Sequence, residues 1–327
     1  MKVLALLLAV PLLVGAYLLT ARDAPPPRAG RTYTSAQLEN LMQGVYIAAR
    51  PAVIQLQTLR VSASSEQTMS VERGRATGFF ISADGYALTA YHAVAGQRRF
   101  QALTTRQELL NAEVVGFDES RDLALLKVSV PRAVEHLELE FARRLELGEA
   151  LVEVGNADGD FMQPRYGTVE EFVQDAGNLV PTELVYSTVN LNPGDSGGAV
   201  LDFHGRAVAV GIGFAQSATR RVALLVPLYG LETRVAALKR GLRAHLPGVG
   251  LHVVHNPSGG VLIDRVEPGS SAAEQGIAGG VVTAVDGKRI GWQSDYYSAI
   301  RAKGVGERVT LEVKVKDAVQ RYTLELR

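Results

Sequence analysis

Residues 192–214 read NPGDSGGAVLDFHGRAVAVGIGF. The second part is strand-like: apolar runs flank a turn signal at His204-Gly205, so strand, tight turn and strand follow one another. The first part carries chemistry. Ser196 sits among Gly194, Gly197 and Gly198, and glycines let a backbone turn tightly and bring its amides close to a reacting carbonyl. A serine hydroxyl is a poor nucleophile until a base takes its proton, so the stretch gains meaning only alongside a histidine and a group to orient it.

Both occur upstream. His92 lies in GYALTAYHAVAG, just after one strand-like run, and Asp122 lies in ESRDLALLKV, immediately before another. Asp118 is a rival carboxylate four residues earlier. The order His92, Asp122, Ser196 is that of chymotrypsin-like barrels and differs from that of subtilisin or the α/β-hydrolases. Further strand-sized runs fall at 53–59, 76–81, 112–117, 123–128, 150–154, 166–173, 184–189 and 221–228. Short strands at near-even spacing with turn signals between them predict a mostly β chain of antiparallel barrels.

Outside these runs, residues 34–50 have apolar side chains at helical spacing, and Pro51 ends the pattern. A second amphipathic pattern, Leu231, Val235, Leu238, Leu242 and Leu246, predicts a connecting helix over 231–247, stopped by Pro247 and Gly248. About eighty β-rich residues follow. At the N-terminus Lys2 precedes an uncharged apolar stretch from Val3 to Leu19, long enough to read as an uncleaved membrane anchor. Pro11, Gly15 and the small residues near Ala21 to Ala24 support the competing reading, a cleaved signal peptide. Either way the chain beyond Arg22 is exported.

Composition narrows the partners. Thirty-four basic and thirty-four acidic residues cancel, which argues against nucleic acid. Cysteine is absent, so disulfides, thiolate metal sites and a cysteine nucleophile are excluded. His252 and His255, three apart on a strand, face opposite sides, and no metal or other cofactor is expected. Arg220-Arg221 reads as a solvated loop.

Singly, each catalytic candidate has a plainer reading: GDSGG as a surface turn, a strand-end histidine as structural, an aspartate as a strand start. Their combination is more specific. ATGFFISADGYALTAYHAV, DESRDLALLKV, LVEVGN and NPGDSGGAVLDFHGRAVAVG resemble the successive signature blocks of HtrA (Deg) family serine proteases. That resemblance implies a chymotrypsin-like double β-barrel in which His92 is the general base, Asp122 orients it and Ser196 attacks. The amides of Gly194 and Ser196 would form the oxyanion hole. It also implies a homotrimer assembled through residues 33–51.

Some positions depart from the family pattern. Thr188 and Asn190 stand where an aspartate and an alanine are usual, Asp195 replaces an asparagine, and Ala199 replaces a proline. Asn190 falls near the floor of the S1 pocket, with Gly213 and Phe214 on the opposite wall, which leaves the side chain accepted at P1 open. Downstream, GGVLIDRVEPGSSAAEQGI, VVTAVDGKRI, VTLEVKV and RYTLEL resemble a PDZ domain, although Gly279-Gly280 stands where Gly-Asp is usual. Gly248, Val249, Gly250 and Leu251 would be its carboxylate-binding loop, capturing peptide C-termini as an added strand.

The expected organisation is an anchor or signal peptide (1–24), a linker (25–33), a trypsin-like domain (34–230), the connecting helix (231–247) and a PDZ domain (248–327). The expected function is a serine endopeptidase of the bacterial periplasm or envelope, anchored to the inner membrane. It would cut unfolded or signalling proteins under PDZ control, in quality control or stress response. The alternative is a non-catalytic PDZ scaffold or holdase derived from a protease.

Overall fold

Thr34 and Gln37 open the first helix with reciprocal hydrogen bonds: Thr34 Oγ1 accepts from the Gln37 amide (3.3 Å) and Gln37 Oε1 from the Thr34 amide (2.9 Å). This helix, α1 (Ser35–Ala49), ends where Pro51 cannot continue it. The structure is a computed structural model describing residues 34–65, 68–156, 164–174, 183–216, 220–256, 258–316 and 318–327. The apolar stretch 3–19 lies outside them. Among the described residues no helix is long and apolar enough to cross a membrane. Two compact units emerge, one of residues 34–174 and 183–244, the other of 245–327.

The first unit holds two closed six-stranded barrels. Barrel one comprises β1 (Val53–Ser65), β2 (Thr68–Phe80), β3 (Tyr86–Ala90), β4 (Arg99–Thr104), β5 (Leu109–Asp118) and β6 (Leu123–Val128), in the order β5-β4-β1-β2-β3-β6 with β6 returning to β5. A one-turn helix, α2 (Tyr91–Val94), follows β3. Ile54, Leu56, Phe80, Ala102, Phe117 and Leu126 fill the interior. The LALLKV strand is buried on both faces, which explains its near-continuous apolar run. Sequence periodicity passes over β4 because RFQALT is short and of its buried positions, Phe100, Ala102 and Thr104, only Phe100 is bulky and apolar.

Barrel two comprises β7 (Ala150–Val154), β8 (Arg165–Gln174), β9 (Glu183–Ser187), β10 (Ala199–Leu201), β11 (Ala207–Gln216) and β12 (Arg221–Pro227), closed in the order β10-β11-β12-β9-β8-β7. Leu151, Val169, Val185, Leu191, Val200 and Leu225 form its core.

The helix expected over 231–247 is shorter. It runs as α3 (Glu232–Lys239), and Gly241, at φ 91°, turns the chain out of it. The Leu242 amide bonds the Ala237 carbonyl (3.0 Å) and the Gly241 amide that of Leu238 (2.9 Å), a closure that glycine permits. β13 (Arg243–Ala244) then pairs parallel with β5. The apolar period at Leu242 and Leu246 therefore continues past a chemical stop that outweighs it.

The second unit is a small sheet of β14 (Leu251–His255), β15 (Val261–Val266), β16 (Val281–Val285), β17 (Lys288–Arg289), β18 (Arg308–Val315) and β19 (Ala318–Glu325). The order is β14-β15-β16-β18-β19, with β17 on β16. α4 (Ser271–Glu274) and α5 (Gln293–Arg301) complete it, and Val253, Ile263, Val282, Tyr296, Leu311 and Leu324 pack together inside. The chain is mostly β, a chymotrypsin-like double barrel followed by a sheet that fits a PDZ domain.

Candidate active site

β3 feeds directly into α2, and that junction carries His92. Asp122 grips this residue twice: Oδ1 accepts from the His92 amide at 2.7 Å and Oδ2 lies 2.6 Å from ring Nδ1. A proton on Nδ1 facing the carboxylate leaves Nε2 as the acceptor, the tautomer a general base requires. Burial divides the pair. Asp122 is almost sealed while the His92 side chain is 45% exposed, so the ring meets whatever enters from solvent.

The local backbone explains how Asp122 reaches that position. It follows a single helical turn at 119–121 and takes a left-handed conformation, φ 51°, uncommon for a residue with a side chain. The Tyr91 amide donates to its carbonyl at 2.9 Å. Asp118 shapes the turn: fully buried, it accepts from the Ser120 amide (2.9 Å), Ser120 Oγ (2.6 Å), Arg121 (3.2 Å) and Arg234 Nε (3.1 Å). The rival carboxylate is thus occupied in bracing the turn.

Ser196 comes from barrel two on the loop before β10. Barrel one holds that loop. The Thr77 amide donates to the Ser196 carbonyl (2.9 Å), and Thr77 Oγ1 donates to the Gly194 carbonyl (2.8 Å) while accepting from the Asn156 amide (3.1 Å). Both carbonyls beside the candidate oxyanion amides are therefore fixed from β2. Gly197, at φ 90°, lies so close to β2 and β3 that a Cβ there would collide with the Thr77 carbonyl and Thr89 Oγ1. Ser196 Oγ is directed to the Ile212 carbonyl, 3.4 Å away.

Asn190 is exposed between buried Val189 and Leu191. Gly213 and Phe214 lie on β11 opposite Leu224 and Ala223 of β12. Arg221 departs from the solvated-loop reading. Its guanidinium stacks 3.9 Å over the Phe214 ring and donates to the Leu191 carbonyl and to Asn192 Oδ1 (3.2 Å), tying β11 to the segment before the serine turn. Arg220 instead pairs with Glu170 at 2.8 Å, half exposed. Thr77, Glu153, Asn156 and Arg165 carry no sign of a role in the sequence. The first three lie inside the quoted blocks as ordinary strand or strand-end residues, and Arg165 lies outside them.

In the second unit, Gly248 exchanges hydrogen bonds with Arg327, its amide to the Arg327 carbonyl (3.1 Å) and its carbonyl from the Arg327 amide (3.0 Å). The carbonyls of Val249 and Gly250 accept from Ala272 (3.0 Å) and Glu267 (2.8 Å), fixing 248–251 at the start of edge strand β14.

Similarities to known proteins agree with this geometry. The trypsin-like peptidase domain family matches residues 76–210. The chloroplastic Protease Do-like 1 of Arabidopsis thaliana is 23% identical over 84% of this chain and 69% of its own. A probable periplasmic serine endoprotease DegP-like of Bartonella henselae is 29% identical over 72% of this chain and 50% of its own. The periplasmic pH-dependent serine endoprotease DegQ of Escherichia coli is 26% identical over 73% and 56% respectively. The chain spans about half to two thirds of the length of the curated relatives it matches. A structure of the HtrA-type protease AlgW with a decapeptide superposes with a TM-score of 0.53 at 20% identity, over 88% of this chain and 98% of that one. Signature order, double barrel, His92–Asp122 pair and relatives converge: the chain carries a trypsin-like peptidase domain and is similar along most of its length to serine proteases of the HtrA (Deg) type.

Proposed function

We propose that this chain is a serine endopeptidase using His92, Asp122 and Ser196. The observation that carries the reading is the double grip of Asp122 on His92, amide and ring together, beside a serine loop hydrogen-bonded to the neighbouring strand. Ser196 Oγ, rotating away from the Ile212 carbonyl, gives its proton to Nε2 of His92 as it attacks the scissile carbonyl. The amides of Gly194 and Ser196 then stabilise the oxyanion, each donor contributing about 3 kcal/mol. Asn190, Gly213 and Phe214, with Arg221 across them, form the S1 walls in this reading.

The trypsin-like domain then spans 34–230 and the PDZ domain 248–327. Its substrates are unfolded or signalling proteins of the cell envelope, where periplasmic relatives act, with residues 1–24 as anchor or export signal. A substrate or regulatory C-terminus adds to β14 and is met by amides at 249–251, since the Gly248 amide is committed to Arg327. A homotrimer through 33–51 is part of the same reading. Labelling with a fluorophosphonate tests it: Ser196 reacts in the wild type and Ser196→Ala does not. A wild-type chain that stays unlabelled is a scaffold instead.

A further inference from the structure

Beneath the serine loop lies a buried ionic cluster that the triad does not use. Asp195, adjacent to Ser196, and Glu153 at the end of β7 are both fully buried. Arg165, at the start of β8, serves both: Nη1 donates to Asp195 Oδ2 and lies 3.5 Å from Glu153 Oε2, with only 15% of its side chain exposed. Asp195 Oδ2 also accepts from the Asn192 amide at 2.8 Å, and the Asp195 carbonyl accepts from the Gly198 amide at 2.8 Å. The carboxylate thus ties Asn192 at the start of the turn and the Asp195 carbonyl ties Gly198 at its end, with Gly194 and Ser196 between them.

Among the described residues, this cluster sets two buried acids against one permanent cation. With both acids ionised, two buried carboxylates share one guanidinium, and burying the second charge beside the first is costlier than keeping a proton on one of them. Glu153 is the acid whose surroundings favour a proton. Glu153 Oε1 has no hydrogen-bond partner, and a Cβ added to Gly155 would collide with both Glu153 Oε1 and Asp195 Oδ1, so the two oxygens lie on the same side of that glycine. A neutral Glu153 donates from Oε1 toward Asp195, relieving an orphaned acceptor and a like-charge contact together.

Resting on the proteolytic reading above, we propose that Arg165 and Glu153 are positioning residues for the reaction, acting through Asp195 to hold the oxyanion turn. Among the described residues, the charged groups bearing on Glu153 are Asp195 from the serine turn and Arg165 from β8, with the Gly155 amide on its own segment. Burial first, and Asp195 second, push the Glu153 carboxyl well above the ordinary carboxylate range. When pH rises far enough to ionise it, two carboxylates compete for one guanidinium, Asp195 is displaced from the Asn192 amide, and the turn loosens.

The test uses the full-length protein, a chromogenic peptide and fluorophosphonate labelling. Arg165→Met lowers kcat about 100-fold with little change in KM, the size of losing one oxyanion donor, and slows Ser196 labelling in parallel. Arg165→Met with Asp195→Asn removes the charge left unpaired and recovers at least tenfold of the loss. Wild type loses activity at alkaline pH through an ionisation that Glu153→Gln lacks. Melting temperatures accompany each variant. Should Arg165→Met fail to fold, the double variant and Glu153→Gln still decide. A folded double variant no more active than Arg165→Met, or as inactive as Ser196→Ala, overturns the brace. Identical pH profiles for wild type and Glu153→Gln overturn the shared proton. A wild-type chain that fluorophosphonate does not label overturns the proteolytic reading itself, and the brace with it.

Discussion

Asp122 and Asp195 are both buried acids, each next in sequence or space to a residue of the proposed triad, yet their partners differ in kind. Asp122 faces His92, a ring that can gain and lose a proton and is open to solvent. Asp195 faces Arg165, whose charge does not change, with a second acid behind it. The first arrangement suits a carboxylate that must follow the protonation of its neighbour through a reaction cycle. The second suits one that must not move. A fold of two barrels keeps both, because barrel one supplies the titrating pair and barrel two the fixed one.

The sharpest way to break this comparison is at the titrating pair. Ser196→Ala and His92→Ala are each expected to lower kcat by about 10⁴ to 10⁶-fold, and the double variant to be scarcely worse, because the residues act as a unit. Peptide hydrolysis measures all three, and additive losses would show that the residues act separately. Asp122→Asn is expected to cost about 10⁴-fold through loss of the His92 tautomer while leaving the melting temperature close to wild type. Asp118→Asn gives the reverse. It leaves Arg121 and Arg234 poorly partnered at the turn, and denaturant unfolding should show a loss of about 1–3 kcal/mol. Activity then falls only as far as Asp122 is misplaced. Equal kinetic losses for both aspartates would erase the distinction drawn between them.

Much of this was legible beforehand because it is written in local patterns. Period-two alternation marks VIQLQTL, and a doubly buried strand marks LALLKV, so the barrels follow from the chain itself. His92, Asp122 and Ser196 carry recognisable flanks. What sequence could not show is pairing between strands of barrel two. Arg165 reads as an ordinary strand start and Glu153 as the polar half of an alternation, and only barrel closure sets them beneath Asp195. The same holds for Arg221, which looks like half of a solvated pair until β12 folds against β11 and lays it over Phe214. The helix at 231–247 failed for the opposite reason, since its apolar period was real but Gly241 ended it locally.

The shared proton has a stability consequence that sharpens the comparison without using activity. Glu153 titrates above its ordinary value of 4.5 in the fold, so the native chain retains a proton that the unfolded chain has already released. Its contribution is fully present below about 4.5 and is lost as pH rises through the raised folded value. A Glu153→Gln variant, whose amide is neutral throughout, escapes that decline. Thermal unfolding across a pH series should show the variant gaining on wild type as pH climbs through this window, then holding a constant lead. Each unit of the window adds about 1.4 kcal/mol at most. A difference independent of pH would mean that Glu153 binds its proton alike in the folded and unfolded chains.

The smallest expected effect falls on Thr77, where the two barrels meet. Its side chain is fully buried and joins the carbonyl of half-buried Gly194 to the amide of buried Asn156, so removing the hydroxyl takes a partner from each. Thr77→Val keeps the shape but removes both bonds. Depriving a buried donor of its partner costs about 1–3 kcal/mol, but most of that falls on stability, because the Thr77 amide still holds the Ser196 carbonyl. The share reaching the transition state is the altered freedom of Gly194, and a loss of about 1.4 kcal/mol there is tenfold in kcat. Thr77→Ser retains the hydroxyl and should restore kcat even if it melts lower through the lost methyl. Steady-state kinetics with calorimetry on both variants separates the two contributions. A tenfold fall in Thr77→Val that Thr77→Ser does not repair would assign the effect to packing, and the hydroxyl bridge between the barrels would then have no part in holding the oxyanion turn.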